Sequence, residues 1–340
     1  MSDTRRASIT DVARRAGVAV GTVSNVLNRP ERVSAATRER VEAAIADLCF
    51  MRNASARRLR AGSIPTIGAV VLDIANPFFT EVARGVEDRL AADDYTLMLA
   101  SSDGDPEREA RYLRLFESHG VAGVLVTPAG DDLAAILAAR ERGLEVVLLD
   151  ATSPALPSVG VDDVRGAAMA IEHLLSLGHR RIGFVNGPDT LRQATDRRAG
   201  VHAALAAAGL HPADALVEVR IDRLDATGGE AGLAALLDGP RPTAVLCVND
   251  LVAVGVLRAL HRRGLAVPDD MALVGYDDVL VVAEPLVPLT SVRRPTRELG
   301  RRAADLLLCP PGGPQRVLFE PELVVRASTA GVSAGAVRAR

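Results

Sequence analysis

Residues 9–50 read ITDVARRAGVAVGTVSNVLNRPERVSAATRERVEAAIADLCF, and their apolar spacing sets three short helices against one another. Ser8, followed three residues later by Asp11, is an N-cap with an acidic first turn; Val12, Ala13 and Ala16 form the apolar face of the first helix until Gly17 breaks it. In the second helix Val23, Val26 and Leu27 stand at i, i+3, i+4, so that face turns inward and leaves Thr22, Ser24 and Asn25 outside. A third helix begins at Ser34 as N-cap and carries Val41, Ala44, Ile45 and Leu48, the stripe that closes a miniature core. Two helices about a Gly turn, backed by a third, make a helix-turn-helix unit.

A helical bundle without a binding role is the alternative, and the charge distribution argues against it. The net charge of −3 is partitioned: residues 1–62 hold 12 Arg against 6 Asp plus Glu, whereas the rest holds 28 against 37. A basic module on an acidic body suits binding to a phosphate backbone, because cations that neutralise phosphates release condensed counterions. All 40 basic residues are Arg, so every cation here can make a bidentate fork.

The stretch resembles, almost position for position, the DNA-binding domain of the LacI/GalR family of repressors. The resemblance implies that the second helix enters the major groove, with Val20, Gly21 and Asn25 at base-reading positions and Thr22, Ser24, Asn28, Ser34 and Thr37 at positions that grip phosphates. Two departures stand out. Ala19 replaces a common Ser, weakening the cap of the reading helix. Asn25 replaces an Arg that often reads guanine; its amide suits adenine N6 and N7, so a shift from G·C towards A·T at one pair is expected.

NASARRLRAG, at 53–62, is basic, Ala-rich and too short to hold a helix alone. Read on its own it is a solvated linker. By resemblance it is the family's hinge helix, with Leu59 as the apolar wedge in the minor groove and Arg60 beside it. Arg52 stands where the family has Pro.

From Thr66 short apolar strands alternate with helices, the pattern of a doubly wound parallel sheet. IGAVVL, TLMLA, GVLVT and VVLLD make one lobe; RIGFVNG, VEVRI, AVLCV and ALVGY make another. The expected division is a helix-turn-helix domain at 1–52, a hinge at 53–63, an effector-binding body at 64–330 and a disordered tail at 331–340. Within the body, one lobe takes about 64–161 and 292–318, the other about 162–289 and 319–330. Ligands of open α/β sheets lie beyond the carboxyl ends of strands. Those positions offer Asp73, Asn76, Asp150, Asn186, Asn249, Asp250 and Asp277, each by itself more simply a cap or turn residue. Asp250 is expected to cap the following helix and Asn249 to face the ligand.

Through IANPFF, SLGHRRIGFVNGP, PTAVLCVND, VPDDMALVGYDD and PLTSVRRP the body resembles the periplasmic-binding-protein-like sensor of the same family. The resemblance implies effector contacts from Asn76, the aromatic pair Phe78 and Phe79, the hydroxyl acceptor Asp150, and the polar clamps Arg192, Arg197, Asn249 and Asp277. That set suits a sugar or sugar derivative, since carboxylates and amides bond hydroxyls while aromatic faces cover C–H surface. Near Arg223 and Leu224 there is no aromatic residue of the kind that stacks on a ligand in several relatives, which disfavours a flat purine. His179 is read as a turn residue.

Other classes fit less well. Cys49, Cys247 and Cys309 are odd in number and far apart, which points to buried thiols, and no His pair or GxSxG elbow supports a metal or a nucleophile. No cofactor is expected. A transporter's solute-binding protein has no use for the first sixty residues, and a sugar enzyme lacks a paired acid and base with supporting spacing. No apolar run approaches the roughly 18 residues of a membrane span, and the first residues lack a secretory pattern, so a cytoplasmic location is expected. The expectation is a homodimeric repressor that binds operator DNA under the control of a small molecule. The tail carries no Leu heptads for tetramers.

Overall fold

The computed structural model describes residues 9–28, 32–48, 66–279, 287–310 and 315–329. Helices Ile9–Ala16, Val20–Asn28 and Ala35–Asp47 pack around buried Val12, Ala13, Ala16, Val23, Val26, Val41 and Ala44, with Leu27, Ile45 and Leu48 partly covered at the edge. Gly17 adopts φ +65° between the first two helices, a conformation that costs glycine little. Ser8, the hinge at 53–63 and the tail at 331–340 lie outside the described residues.

The body forms two six-stranded sheets. The first runs β2 (Thr96–Ser101), β1 (Thr66–Val71), β3 (Gly123–Val126), β4 (Val146–Leu149), β5 (Ser158–Val161), β11 (Arg316–Phe319), all parallel. The second runs β7 (Leu216–Arg220), β6 (Ile182–Asn186), β8 (Ala244–Cys247), β9 (Ala272–Asp277), β10 (Thr290–Arg293), β12 (Glu322–Val324), and only β12 is antiparallel to its neighbour. Four strands, β5, β10, β11 and β12, extend the sheets beyond the eight read from sequence. They are short and mix polar with apolar residues (SVGV, TSVR, RVLF, ELV), unlike the equally short but continuously apolar GVLV, VVLL and AVLC that were read from sequence. The chain passes between lobes after β5, after β10 and between β11 and β12. The second of these crossings follows Arg293, so β10 belongs to the second lobe and the return to the first lies just past the boundary expected at about 292.

Close helix contacts fix the frame of the site. A Cβ at Gly300 would lie 2.0 Å from the Val82 carbonyl oxygen and one at Gly85 2.1 Å from that of Arg297, so helices Pro77–Ala91 and Thr296–Leu308 touch backbone to backbone. This contact anchors the helix whose first turn carries Phe78 and Phe79. Cys247 is a buried free thiol, but Cys309 is disulfide-bonded, a correction to the reading of three thiols; separation along the chain does not limit proximity in the fold.

Candidate functional site

On the reading helix Val20 is 41% exposed, Gly21 and Asn25 are exposed, and Thr22 and Ser24 are half-buried at its flank. Val23 and Val26 alternate with them and point into the core, which fixes the rotation of the helix. At its start the Ala19 carbonyl accepts from the Thr22 and Val23 amides at 2.9 and 3.3 Å, while its methyl side chain brings no capping oxygen. Asn28 closes the helix. Ser34 accepts from the Thr37 and Arg38 amides with its carbonyl and donates its hydroxyl to that of Thr37 at 2.9 Å, so two proposed phosphate contacts share one corner. Leu59 and Arg60 lie outside the described residues.

Between the lobes lies a chamber of about 810 Å³, lined by Asp73, Asn76, Phe79, Ser101 and Asp103 from the first lobe and by Asp222, Leu224 and Asn249 from the second. Its floor keeps a remnant cavity of about 50 Å³ among Phe78, Asp150, Arg197, Asp277 and Arg294. Backbone conformation brings the acids there. Asp103, Asp150 and Asp277 have φ of 54°, 54° and 102°, a region that side chains other than Gly, Asn and Asp seldom enter. Asn76 caps helix Pro77–Ala91 by accepting from the Phe78 amide at 3.0 Å, and the rings of Phe78 and Phe79 meet edge to face with centroids 5.0 Å apart.

The floor is an ion cluster. Arg197 donates to Asp163 at 3.0 Å and to the Val248 carbonyl, stands 3.7 Å from Asp277, and lies over the Tyr276 ring at 3.7 Å. Arg294 pairs with Asp150 and with Asp277 at 3.3 Å and covers the face of Phe78 at 4.1 Å. Two guanidiniums thus face three carboxylates, all enclosed. Burial raises Asp277 to about 6 against the pull of both arginines, and it also raises Asp150 despite Arg294. For Asp163 burial acts in the same sense, but Arg197 and Arg294 together outweigh it and hold the carboxyl below its usual range.

Several expected roles change. Asn249, not Asp250, caps helix Asp250–Arg262: its carbonyl accepts from the Val252 amide at 2.8 Å and its amide donates to Leu224 at 3.0 Å. Asp250 lies beneath, accepting from the Ser291 hydroxyl at 2.7 Å and the Val279 amide at 2.8 Å. The physical reason is that Asn supplies an acceptor and a donor together, which the cap and the neighbouring carbonyl both need. Asn249 still lines the chamber. Asn186 does not: it is buried, donating to Ala194 and Glu218. Arg192 is 48% exposed and pairs with Asp196 and the Thr152 carbonyl on the far side of the floor, lining a separate opening of about 450 Å³. His179 packs against Thr243 outside the cleft. Sequence reasoning missed Arg294 and Asp163, which follow β10 and β5, two of the strands it did not see. It also missed Gln193, which donates to Asp150 across the lobes at 3.0 Å to the carbonyl.

A helix-turn-helix unit with an open reading face, followed by a two-lobed body with a polar inter-lobe cleft, defines a ligand-sensing DNA-binding regulator. Residues 8–53 match the family model described as bacterial regulatory proteins, lacI family, and residues 171–329 match a periplasmic binding protein-like domain. The chain is 36% identical to the ribose operon repressor of Escherichia coli (strain K12), over 95% of this chain and 99% of the relative. It is 34% identical to the transcriptional repressor PurR of Photobacterium profundum, over 95% and 98%. Among solved structures it is similar to the lac repressor dimer bound to operator and the anti-inducer ONPF, with a TM-score of 0.71 and 28% identity over 96% of this chain and all of that one. The chain belongs to the LacI family of bacterial regulatory proteins.

Proposed function

We propose that this protein is a cytoplasmic homodimeric repressor whose grip on operator DNA is set by a small sugar-like molecule held between the lobes. The observation that carries the reading is the chamber itself: polar side chains from both lobes converge on one space, so a ligand there is held by both and biases their relative position. In this reading Val20, Gly21 and Asn25 read bases; Thr22, Ser24, Asn28, Ser34 and Thr37 hold phosphates; and Leu59 with Arg60 enters the minor groove. The effector is touched by Asn76, Phe79, Asn249 and, through the floor, Asp150, Asp277, Arg197 and Phe78; Arg192 acts at the opposite opening. Leu224, where an aromatic would stack on a flat base, favours a saturated ligand; the relatives include both the ribose operon repressor and PurR, so the preference for a sugar rests on Leu224. Two reading helices on a dyad fit two half-sites, hence the dimer. A regulatory rather than enzymatic role accords with floor carboxylates that are engaged by arginines.

The test is a thermal-shift screen of sugars, sugar acids and nucleosides, with any hit carried into a mobility shift on operator DNA. A cleft ligand at a hundredfold excess over its Kd stabilises by about 2.7 kcal/mol and is expected to change DNA affinity. A stabilising ligand that leaves DNA affinity untouched contradicts the reading.

A further inference from the structure

Arg294 lies on the floor of the cleft, beside Phe78, Asp150 and Asp277. Its side chain is only 2% exposed and it lies on the segment that carries the chain from β10 back to the first lobe. Its contacts come from both lobes: Asp150 and Phe78 belong to the first, Asp163 and Asp277 to the second. An aromatic face below and carboxylates of both lobes around it are what a bound molecule would meet in this cleft. The guanidinium leaves only the 50 Å³ remnant beside it. One nitrogen of the guanidinium is left without any partner: Arg294 Nε is buried and makes no hydrogen bond, while Nη1 and Nη2 each reach a carboxylate. An unpaired buried donor is costly. Arg198 carries one too, at Nη2, but between Asp189 and Glu218 of a single lobe, whereas the orphaned nitrogen of Arg294 lies at the floor of the cleft between acids of both lobes.

We propose that Arg294 is a built-in ligand: its guanidinium fills the floor of the cleft and ties the two lobes together in the unliganded chain. The effector enters from the chamber above and offers an acceptor oxygen, a hydroxyl or carbonyl, to the unpaired Nε–H. Charge balance explains why the tie holds. With Arg294 present, two cations offset three carboxylates; without it, Arg197 alone faces Asp150 on one lobe and Asp163 and Asp277 on the other, and like charges then repel across the cleft. The inference takes the cleft as the ligand site, as argued above, but its test needs no ligand, so the two readings fail separately.

The experiment measures lobe separation in the full chain by pulsed electron paramagnetic resonance. Labels sit at exposed Arg114 in the first lobe and exposed His202 in the second, with labelled subunits diluted in unlabelled ones. The parent protein is expected to show one narrow distribution, Arg294→Gln a longer and broader one, and Arg294→Lys, which restores the charge but not the fork, a position between them. Asp150→Asn cuts the tie to the first lobe alone, and it too is expected to lengthen the distance; it decides the matter if Arg294→Gln does not fold. A folded Arg294→Gln or Asp150→Asn protein with the parent distribution overturns the proposal.

Discussion

Replacing Arg197 with Met exposes how the floor is balanced. The substitution keeps volume and an apolar stem but removes the guanidinium that is 3.0 Å from Asp163, 3.7 Å from Asp277 and stacked on Tyr276. Deleting one partner of a buried ion pair costs about 3–5 kcal/mol, since the other charge stays buried and uncompensated. Arg294 remains 3.7 Å from Asp163 and 3.3 Å from Asp277, which places the loss towards about 3 kcal/mol on that scale. For a body of this size each kcal/mol moves Tm by about 2–4 °C, so calorimetry at pH 8 is expected to record a drop of roughly 6–12 °C. At pH 5 the deficit shrinks, because Asp277, already raised to about 6 by burial, takes up a proton and needs no partner. Adding Asp163→Asn to Arg197→Met removes the orphaned charge and is expected to recover part of the loss. A loss below about 1 kcal/mol at pH 8, the size of an exposed pair, would refute the reasoning.

Three further outcomes follow from the same physics. Glu109 is 3% exposed and accepts a hydrogen bond from the Ala129 amide at 2.7 Å; burial lifts its pKa from 4.5 to about 7. A carboxyl raised in the folded state stabilises below pH 4.5 and loses that contribution as pH climbs to about 7, on the order of 3 kcal/mol at most; Glu109→Gln, followed by urea unfolding between pH 5 and 8, is expected to flatten that slope. Gly300→Ala forces a methyl to within 2.0 Å of the Val82 carbonyl, so it is expected to lower Tm by several degrees and to weaken any cleft ligand through displacement of Phe78 and Phe79, whereas unchanged melting contradicts the close helix contact. Leu59→Ala is expected to weaken operator binding far more than binding to random DNA in a competition mobility shift, and equal losses count against the minor-groove wedge.

The helix-turn-helix unit was legible because its core is built from neighbours in sequence: Val12, Val23 and Val41 each announce their face by local spacing. The eight longer or more apolar strands were legible for the same reason, and the strand-end rule led to Asp150 and Asp277. What stayed hidden depends on the crossings between lobes. Asp163 and Arg294 are 131 positions apart in the chain yet 3.7 Å apart in the fold, and no periodicity relates them. The exchange of roles between Asn249 and Asp250 was equally opaque, since both residue types cap helices and only the Leu224 carbonyl on the other side of the cap decides between them. Asn186 shows the cost of the strand-end rule: it ends β6 as predicted but turns to Glu218 on the neighbouring strand.

The measurement that bears most directly on the central claim is selection of bound duplexes from random-sequence DNA by the full-length protein at physiological salt. The account predicts enrichment of two half-sites related by a dyad, with an A·T pair where Asn25 reads and binding that weakens steeply as salt is raised. A retained guanine at that pair would remove the role given to Asn25, and recovery of no common sequence would contradict the account as a whole.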